Sequence, residues 1–285
     1  MTTPAEVAAA GQLACLLEVS APKPGNVSPE RHFHDTRYED FLASAVAIGP
    51  ALAGAAEHPL GVTIRAAVEA TLRWTRSNTN LGIVLLLAPL ARAALSPGGA
   101  LRERLSRVLR DTTVADAAEV YTAIRRAQPG GLGEAAREDV AGAPSVSLQQ
   151  AMALAAERDA IAREYITDFA LTFETGVPAL RAARREGLAW TDAAVDAYLA
   201  FLDKSPDTHI ARKLGPEAAA KVSRRAREIR AAGGTRTAEG RRELAALDLE
   251  LRDPRNRRNP GTTADLTCAA LFVVILEGGW DRRGE

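Results

Sequence analysis

Thr263-Ala264-Asp265-Leu266-Thr267-Cys268-Ala269-Ala270-Leu271-Phe272-Val273-Val274-Ile275-Leu276 is the stretch on which the fold turns. It is apolar on nearly every face at helical spacing, which places it at the centre of a helical bundle and not on a solvated surface. On periodicity alone, Phe272–Leu276 also fits a short buried strand. Its alanine-rich surroundings favour a helix. Leu81–Leu95 is a second stretch of the same kind. Its apolar run, Leu81 to Ala91, is too short to cross a bilayer and contains Pro89.

Outward from these two stretches, alanine, leucine and arginine dominate, aromatic residues make up 5% and β-branched runs are scarce. Both features favour helix over strand. Helical patterns run through Pro4–Val19, Thr36–Ala56, Gly61–Arg76, Leu81–Leu95, Leu101–Arg110 and Ala115–Ala127. They resume at Ser147–Glu157, Asp159–Thr175, Val177–Glu186, Thr191–Leu202, Pro216–Ala232, Ala238–Leu251 and Thr263–Leu276. Ser147 reads as an N-cap, and Gly187 as a stop after Arg184-Arg185-Glu186. The expectation is an all-α protein: a single catalytic domain over residues 1–285, built as one multi-helix bundle with two central apolar helices. The Gly/Pro-rich segment at about 128–147 reads as a long functional loop within it.

The 285 residues are 47% hydrophobic and 25% charged, the composition of a globular protein. Lys+Arg 36 balances Asp+Glu 36, so no overall basic field recruits nucleic acid or an anionic membrane. Cys15 and Cys268 both lie in apolar stretches, as free thiols in a reducing cytoplasm do. Among the four histidines, His32, His34, His58 and His209, there is no zinc-site spacing. No positive charge precedes Lys23, so no secretory signal is expected. The expectation is a cytoplasmic protein with small-molecule partners; a homodimer is compatible with the sequence.

Four polar stretches stand apart from ordinary helix connections. The first is Glu18-Val19-Ser20-Ala21-Pro22-Lys23-Pro24-Gly25-Asn26-Val27, continued by Asp35 and Glu39. Two prolines around Lys23 deny it a helix. The pattern fits a rigid turn with a solvated lysine as well as an ammonium aimed at phosphate. The second is Ser77-Asn78-Thr79-Asn80-Leu81-Gly82, more donors than a cap requires, at the start of an apolar helix. A plain cap and turn fits it equally.

The third stretch is Pro206-Asp207-Thr208-His209-Ile210-Ala211-Arg212-Lys213-Leu214-Gly215. A carboxylate, an imidazole and two cations within one or two turns suit a Mg2+–polyphosphate site, where metal takes few carboxylates and several phosphate oxygens. A capped, charged surface helix is the plainer reading. The fourth is Arg257-Arg258-Asn259-Pro260-Gly261-Thr262-Thr263-Ala264-Asp265-Leu266, where Asp265 precedes apolar residues and calls for a cation, from protein or metal. Together they describe a site for a polyphosphate or nucleotide handled with Mg2+. There is no Walker A or dinucleotide fingerprint.

These stretches resemble the triphosphoribosyl-dephospho-CoA synthase family. Its hallmarks are an acidic residue before a Pro-Lys-Pro-Gly turn, an Asn-Thr-His-Lys-Gly helix start, an Asp-Thr-Asn segment with Arg, and a Pro-Gly-Gly-Ser-Ala-Asp-Leu ending. Glu18 with Pro22–Asn26, Asn78–Gly82, Asp207–His209 with Arg212, and Pro260–Leu266 stand in those places. Asp35, Glu39-Asp40-Phe41, Ser44-Ala45 and the Gly130–Glu134 loop correspond to family features between them.

The resemblance implies an all-helical enzyme that joins ATP to 3'-dephospho-CoA and expels adenine. The product carries a 5-triphosphoribosyl group and is a prosthetic-group precursor for citrate or malonate lyase acyl carrier proteins. It implies that Asp35, Asp207 and Asp265 hold Mg2+ on the triphosphate, with Lys23 and Arg212 neutralising charge. Glu18 or Glu39 would take the proton of the attacking hydroxyl or stabilise the ribosyl cation, with Asp35 beside them in the catalytic set. Asn26, Asn78, Thr79, Asn80, Thr208, His209, Lys213, Thr262 and Thr263 complete the substrate- and phosphate-binding set.

Departures from the pattern are Asn80-Leu81 for the family His-Lys, Gly261-Thr262-Thr263 for Gly-Gly-Ser, and Phe33 for a His two residues before Asp35. A divergent branch from organisms with methanopterin-type one-carbon metabolism shares them. For that branch the implied acceptor is a precursor of a tetrahydromethanopterin-like cofactor. Two other classes stay open: a Mg2+-dependent N-glycosyl hydrolase using the same carboxylates, and a non-catalytic helical scaffold.

Overall fold

A computed structural model of the chain describes residues 2–130 and 137–280. The helices are α1 (Pro4–Ser20), α2 (Tyr38–Ala47), α3 (Gly49–Ala53), α4 (Leu60–Leu72), α5 (Leu81–Leu95), α6 (Leu101–Arg110), α7 (Val114–Ala127), α8 (Leu148–Ala155) and α9 (Ala160–Ile166). They continue as α10 (Val177–Arg185), α11 (Trp190–Lys204), α12 (Thr208–Leu214), α13 (Pro216–Ala231), α14 (Ala238–Leu251) and α15 (Gly261–Leu276). Among the described residues there is no β-strand, and an isolated bridge joins Ser28 to Arg31. The protein is all-α. No helix among the described residues is long and apolar enough to cross a membrane. Of the expected loop at 128–147, residues 131–136, with most of Gly130–Glu134, lie outside the described residues.

Internal contacts divide the chain into two units, Met1–Cys15 with Glu39–Ala170 and Leu16–Tyr38 with Leu171–Glu285. Each has one of the two apolar helices at its centre. In the first unit α5 packs on α4 and α6, while α4 lies along α7. Leu86, Leu87 and Leu90 on α5 are fully buried. Pro89 sits inside that helix and has no N–H for the Leu85 carbonyl one turn back. The hydroxyl of the buried Tyr165 donates to that carbonyl at 2.7 Å instead, so no buried acceptor is orphaned.

In the second unit α11 packs on α10, α13 and α15. Leu271, Phe272 and Val273 of α15 are fully buried, and the helix runs unbroken to Leu276, which settles the strand-or-helix ambiguity at 272–276 in favour of helix.

Two expected helices are interrupted. Thr36–Ala56 becomes α2, α3 and a 3-10 turn, because Pro50 cannot donate into a continuing helix and instead occupies the first turn of α3. Asp159–Thr175 breaks where Asp168 and Phe169 turn to left-handed backbone, φ 50° and 57°, and resumes as a π-helical turn at Thr172–Gly176. A Cβ at Gly176 would lie 2.2 Å from the Phe201 ring and 2.8 Å from Ala270, so a glycine is required where α11 and α15 close on that turn. The Ser147 cap is formed: its hydroxyl accepts from Gln150 N at 3.4 Å, and Gln150 Oε1 accepts from Ser147 N at 3.0 Å.

Candidate functional site

The first stretch folds as α1 followed by a turn that cannot be helical. Pro22 and Pro24 remove two donors, and Lys23 N bonds back to Ala21 O at 2.7 Å while Asn26 N reaches Lys23 O at 3.1 Å. Gly25 has φ 78°, and a Cβ there would meet Leu251 Cβ at 2.9 Å and Pro260 Cδ at 3.0 Å. Only glycine fits both the backbone and the space.

The Lys23 ammonium is buried, 1% exposed, and its donors are spent inside the protein. It bonds the Glu18 carbonyl, the Ala21 carbonyl at 3.2 Å and the Glu18 carboxylate at 2.9 Å. Asn26 donates its amide to the Tyr198 hydroxyl at 3.0 Å.

Asp207 caps α12 and joins it to α15. Its Oδ1 accepts from Ile210 N at 2.9 Å, and its Oδ2 accepts from Thr263 N at 2.8 Å and from the Thr263 hydroxyl at 2.7 Å. Burial pushes the Asp207 carboxyl above its ordinary range, against the pull of those bonds and of Arg212. Beside it the Thr208 hydroxyl donates to the Thr262 hydroxyl at 3.1 Å. His209 lies against the same helix start: a Cβ on Gly261 would be 3.2 Å from His209 Nδ1. Burial, with Lys213 and Arg212 adding to it, pushes the His209 imidazole down to about 3, so it is neutral at ordinary pH. Its Nε2 is buried without a hydrogen-bond partner.

Lys213 is next on that face and donates to Asn256 O at 3.5 Å. Burial and then Arg212 lower its pKa, while the carboxylates of Asp253, Asp35 and Asp207 act in the opposite direction. The loop before α15 is ordered by Asp253, which accepts from the backbone N–H groups of Arg255, Arg257 and Arg258. Asp35 is exposed, with His34 Nε2 at 3.7 Å from its carboxylate and the Thr36 hydroxyl donating at 3.2 Å. Asp265 is half-buried on α15, about one turn in from Gly261.

The first, third and fourth stretches therefore lie in the second unit, together with Asp35. Glu39, Asn78, Thr79 and Asn80 lie in the first. There Asn78 Oδ1 caps α5 through Leu81 N at 3.0 Å, and the Thr79 hydroxyl pairs with the Ser44 hydroxyl at 2.5 Å. Asn80, 5% exposed, donates its amide to the Thr71 hydroxyl at 3.0 Å. Glu39 is exposed in the first turn of α2.

Among the described residues no three His, Cys, Asp or Glu side chains group closely enough to hold a metal between them. In kind, the donors fit Mg2+: hard carboxylate oxygens, few in number, next to cations that suit phosphate. A groove of about 500 Å³ elsewhere in the second unit is lined by Glu174, Pro178, Asp203, Arg227 and Arg230, residues of none of the four stretches.

Three residues that sequence reasoning did not single out hold this site. Tyr198 donates to Pro24 O at 2.7 Å. Asp248 accepts from Gly25 N at 2.8 Å, and Arg252 donates to Asn26 O at 2.7 Å. Asp248 and Arg252 are an i,i+4 pair on the end of α14, a readable signal. Tyr198 is one aromatic in an apolar helix and carries no such mark.

A sequence profile of the CitG family, described as ATP:dephospho-CoA triphosphoribosyl transferase, matches residues 4–284. The chain is 37% identical over 108 residues to a Stutzerimonas stutzeri protein described as "probable 2-(5''-triphosphoribosyl)-3'-dephosphocoenzyme-A synthase", a stretch covering 38% of this chain and 37% of that one. A Pseudomonas fluorescens protein with the same description is 33% identical over 111 residues, 39% of this chain and 38% of that one. These alignments span less than two-fifths of either curated relative. The structure is similar to a crystal structure from Archaeoglobus fulgidus provisionally assigned as a triphosphoribosyl-dephospho-CoA synthase. That similarity has TM-score 0.63 and 29% identity, over 83% of this chain and 99% of that chain.

Proposed function

Because the chain belongs to the ATP:dephospho-CoA triphosphoribosyl transferase family, we propose that it transfers the 5-triphosphoribosyl group of ATP to a hydroxyl of 3'-dephospho-CoA. The bond from ribose C1' to adenine breaks, a bond from C1' to the acceptor oxygen forms, and the hydroxyl proton leaves with adenine. The family match over residues 4–284 carries this reading, and it covers all four polar stretches. We extend the proposal to the whole of 1–285 acting as one catalytic domain, in the cytoplasm, where the buried thiols of Cys15 and Cys268 stay reduced.

In this reading Asp35, Asp207 and Asp265 face the Mg2+-bound triphosphate. Mg2+, when bound, would supply charge neutralisation on the phosphates. Arg212 and Lys213 add positive charge on the side of α12 away from its cap, and Thr262, Thr263, Thr208 and the neutral His209 supply hydrogen bonds. Lys23 holds the buried Glu18 carboxylate in place through their 2.9 Å pair. That leaves Glu18, with Glu39, as the candidate to take the acceptor's proton or to face the ribosyl cation. Asn26, Asn78, Thr79 and Asn80 complete the binding set.

One observation favours a second acceptor. Where the family carries His-Lys after Asn-Thr, this chain has Asn80, buried and bonded to Thr71, followed by the buried, apolar Leu81. A site lacking that charge suits an acceptor less anionic than dephospho-CoA, such as a sugar-alcohol hydroxyl of a pterin precursor.

The test is adenine release, followed by chromatography, from the protein with ATP and Mg2+, with and without dephospho-CoA. Adenine formed only with dephospho-CoA, with a matching mass gain on it, supports the proposal. Adenine formed without an acceptor supports a hydrolase, and none in either reaction overturns dephospho-CoA as acceptor. Asp265→Asn is expected to abolish ATP binding in the presence of Mg2+ with little change in Tm. An unaltered ATP affinity would sink the metal–phosphate assignment.

A further inference from the structure

We propose that Tyr198 is a positioning residue that fixes the Pro22–Asn26 turn and, through it, the Glu18–Lys23 pair. Tyr198 is fully buried on α11, and its ring is held by core packing. Its hydroxyl makes two bonds to this turn, donating to Pro24 O at 2.7 Å and accepting from Asn26 Nδ2 at 3.0 Å. No other side chain bonds the turn at both a backbone and a side-chain position among the described residues.

The turn needs such a clamp. With two prolines and a left-handed Gly25 it has few backbone bonds of its own, and it must hold a buried ammonium against a buried carboxylate. Burial, with the nearby carboxylates of Asp207, Asp248 and Glu18 adding to it, pushes the Tyr198 hydroxyl well above its ordinary range, so it remains a donor to Pro24 O.

The catalytic half of this inference rests on the proposed function; the half concerning the turn does not. Tyr198→Phe keeps the ring and removes both bonds. It should speed hydrogen exchange at the Lys23, Gly25 and Asn26 amides by about tenfold. It should also lower kcat for adenine release by about tenfold while KM for ATP stays within about twofold, the signature of a misplaced reacting group and not of lost ground-state binding.

Tyr165→Phe is the control. It removes an equally buried hydroxyl, bonded to Leu85 O, and should lower Tm while leaving exchange at 23–26 and kcat as in the parent. Unchanged exchange at those amides in Tyr198→Phe overturns the proposal. So does a kcat loss equal in both variants, which would mark general destabilisation. If the parent protein itself releases no adenine, the transferase reading fails, and exchange still decides whether Tyr198 holds the turn. Should Tyr198→Phe not fold, Asn26→Ala removes one of the two Tyr198 bonds, and exchange at the Lys23 and Gly25 amides is read in the same way.

Discussion

The Asp207 carboxylate ties together two helix starts that lie 56 residues apart in the chain, taking Ile210 N on one oxygen and both the N–H and hydroxyl of Thr263 on the other. Asp207→Asn keeps one acceptor but turns an amide N–H2 toward the Thr263 donors. The expected cost is about 1–3 kcal/mol for a buried donor left without a partner, and urea unfolding measures it. Thr263→Val in the same background should add little, because the bond is already broken. Full additivity of the two changes would contradict the geometry.

Glu18 and Lys23 form a buried pair with side-chain exposures of 5% and 0%. Breaking it by Lys23→Met strands a buried carboxylate, and the expected loss is about 3–5 kcal/mol. Pairing it with Glu18→Leu should recover a good part of that loss. A double variant as unstable as the sum of the singles would show that the two groups are not coupled.

The His209 imidazole is pushed down to about 3 by burial and by its cationic neighbours. Its folded-state pKa lies below the unfolded one, near 6.5, so between those values the unfolded chain binds a proton that the native protein does not. Stability is complete above about pH 6.5 and falls as the pH drops, by up to about 1.4 kcal/mol per pH unit from this residue. The slope of unfolding free energy between pH 7 and pH 5 should flatten in His209→Gln. An equal slope in both proteins would remove His209 as its source.

Tyr165 supplies the donor that Pro89 denies to Leu85 O. Tyr165→Phe leaves that buried carbonyl unsatisfied at an expected cost of about 1–3 kcal/mol. Restoring the backbone donor by Pro89→Ala in the Tyr165→Phe background should return most of it, as measured by Tm. No rescue would mean that the carbonyl is satisfied in another way.

The amino-acid sequence by itself determined the all-α class, most helix positions, the Ser147 cap and the four polar stretches. All of these are local: a 3.6-residue apolar period, a capping side chain three residues from its donor, a proline that cannot donate. Tertiary structure alone decided that α5 centres one unit and α15 the other, and that Asn78–Asn80 and Glu39 share a unit apart from Asp207 and Thr263. It also decided that Lys23 turns inward to Glu18 and that Tyr198 holds the turn around it. The breaks after Ala47 and at Asp168 divide as well: Pro50 announced the first, whereas the second depends on burying Phe169. Tyr198 and Pro24 are 174 residues apart, and even Lys23 and Glu18, only five apart, meet in a turn that tertiary contacts hold; a buried charge or hydroxyl takes whichever partner the packed helices bring to it.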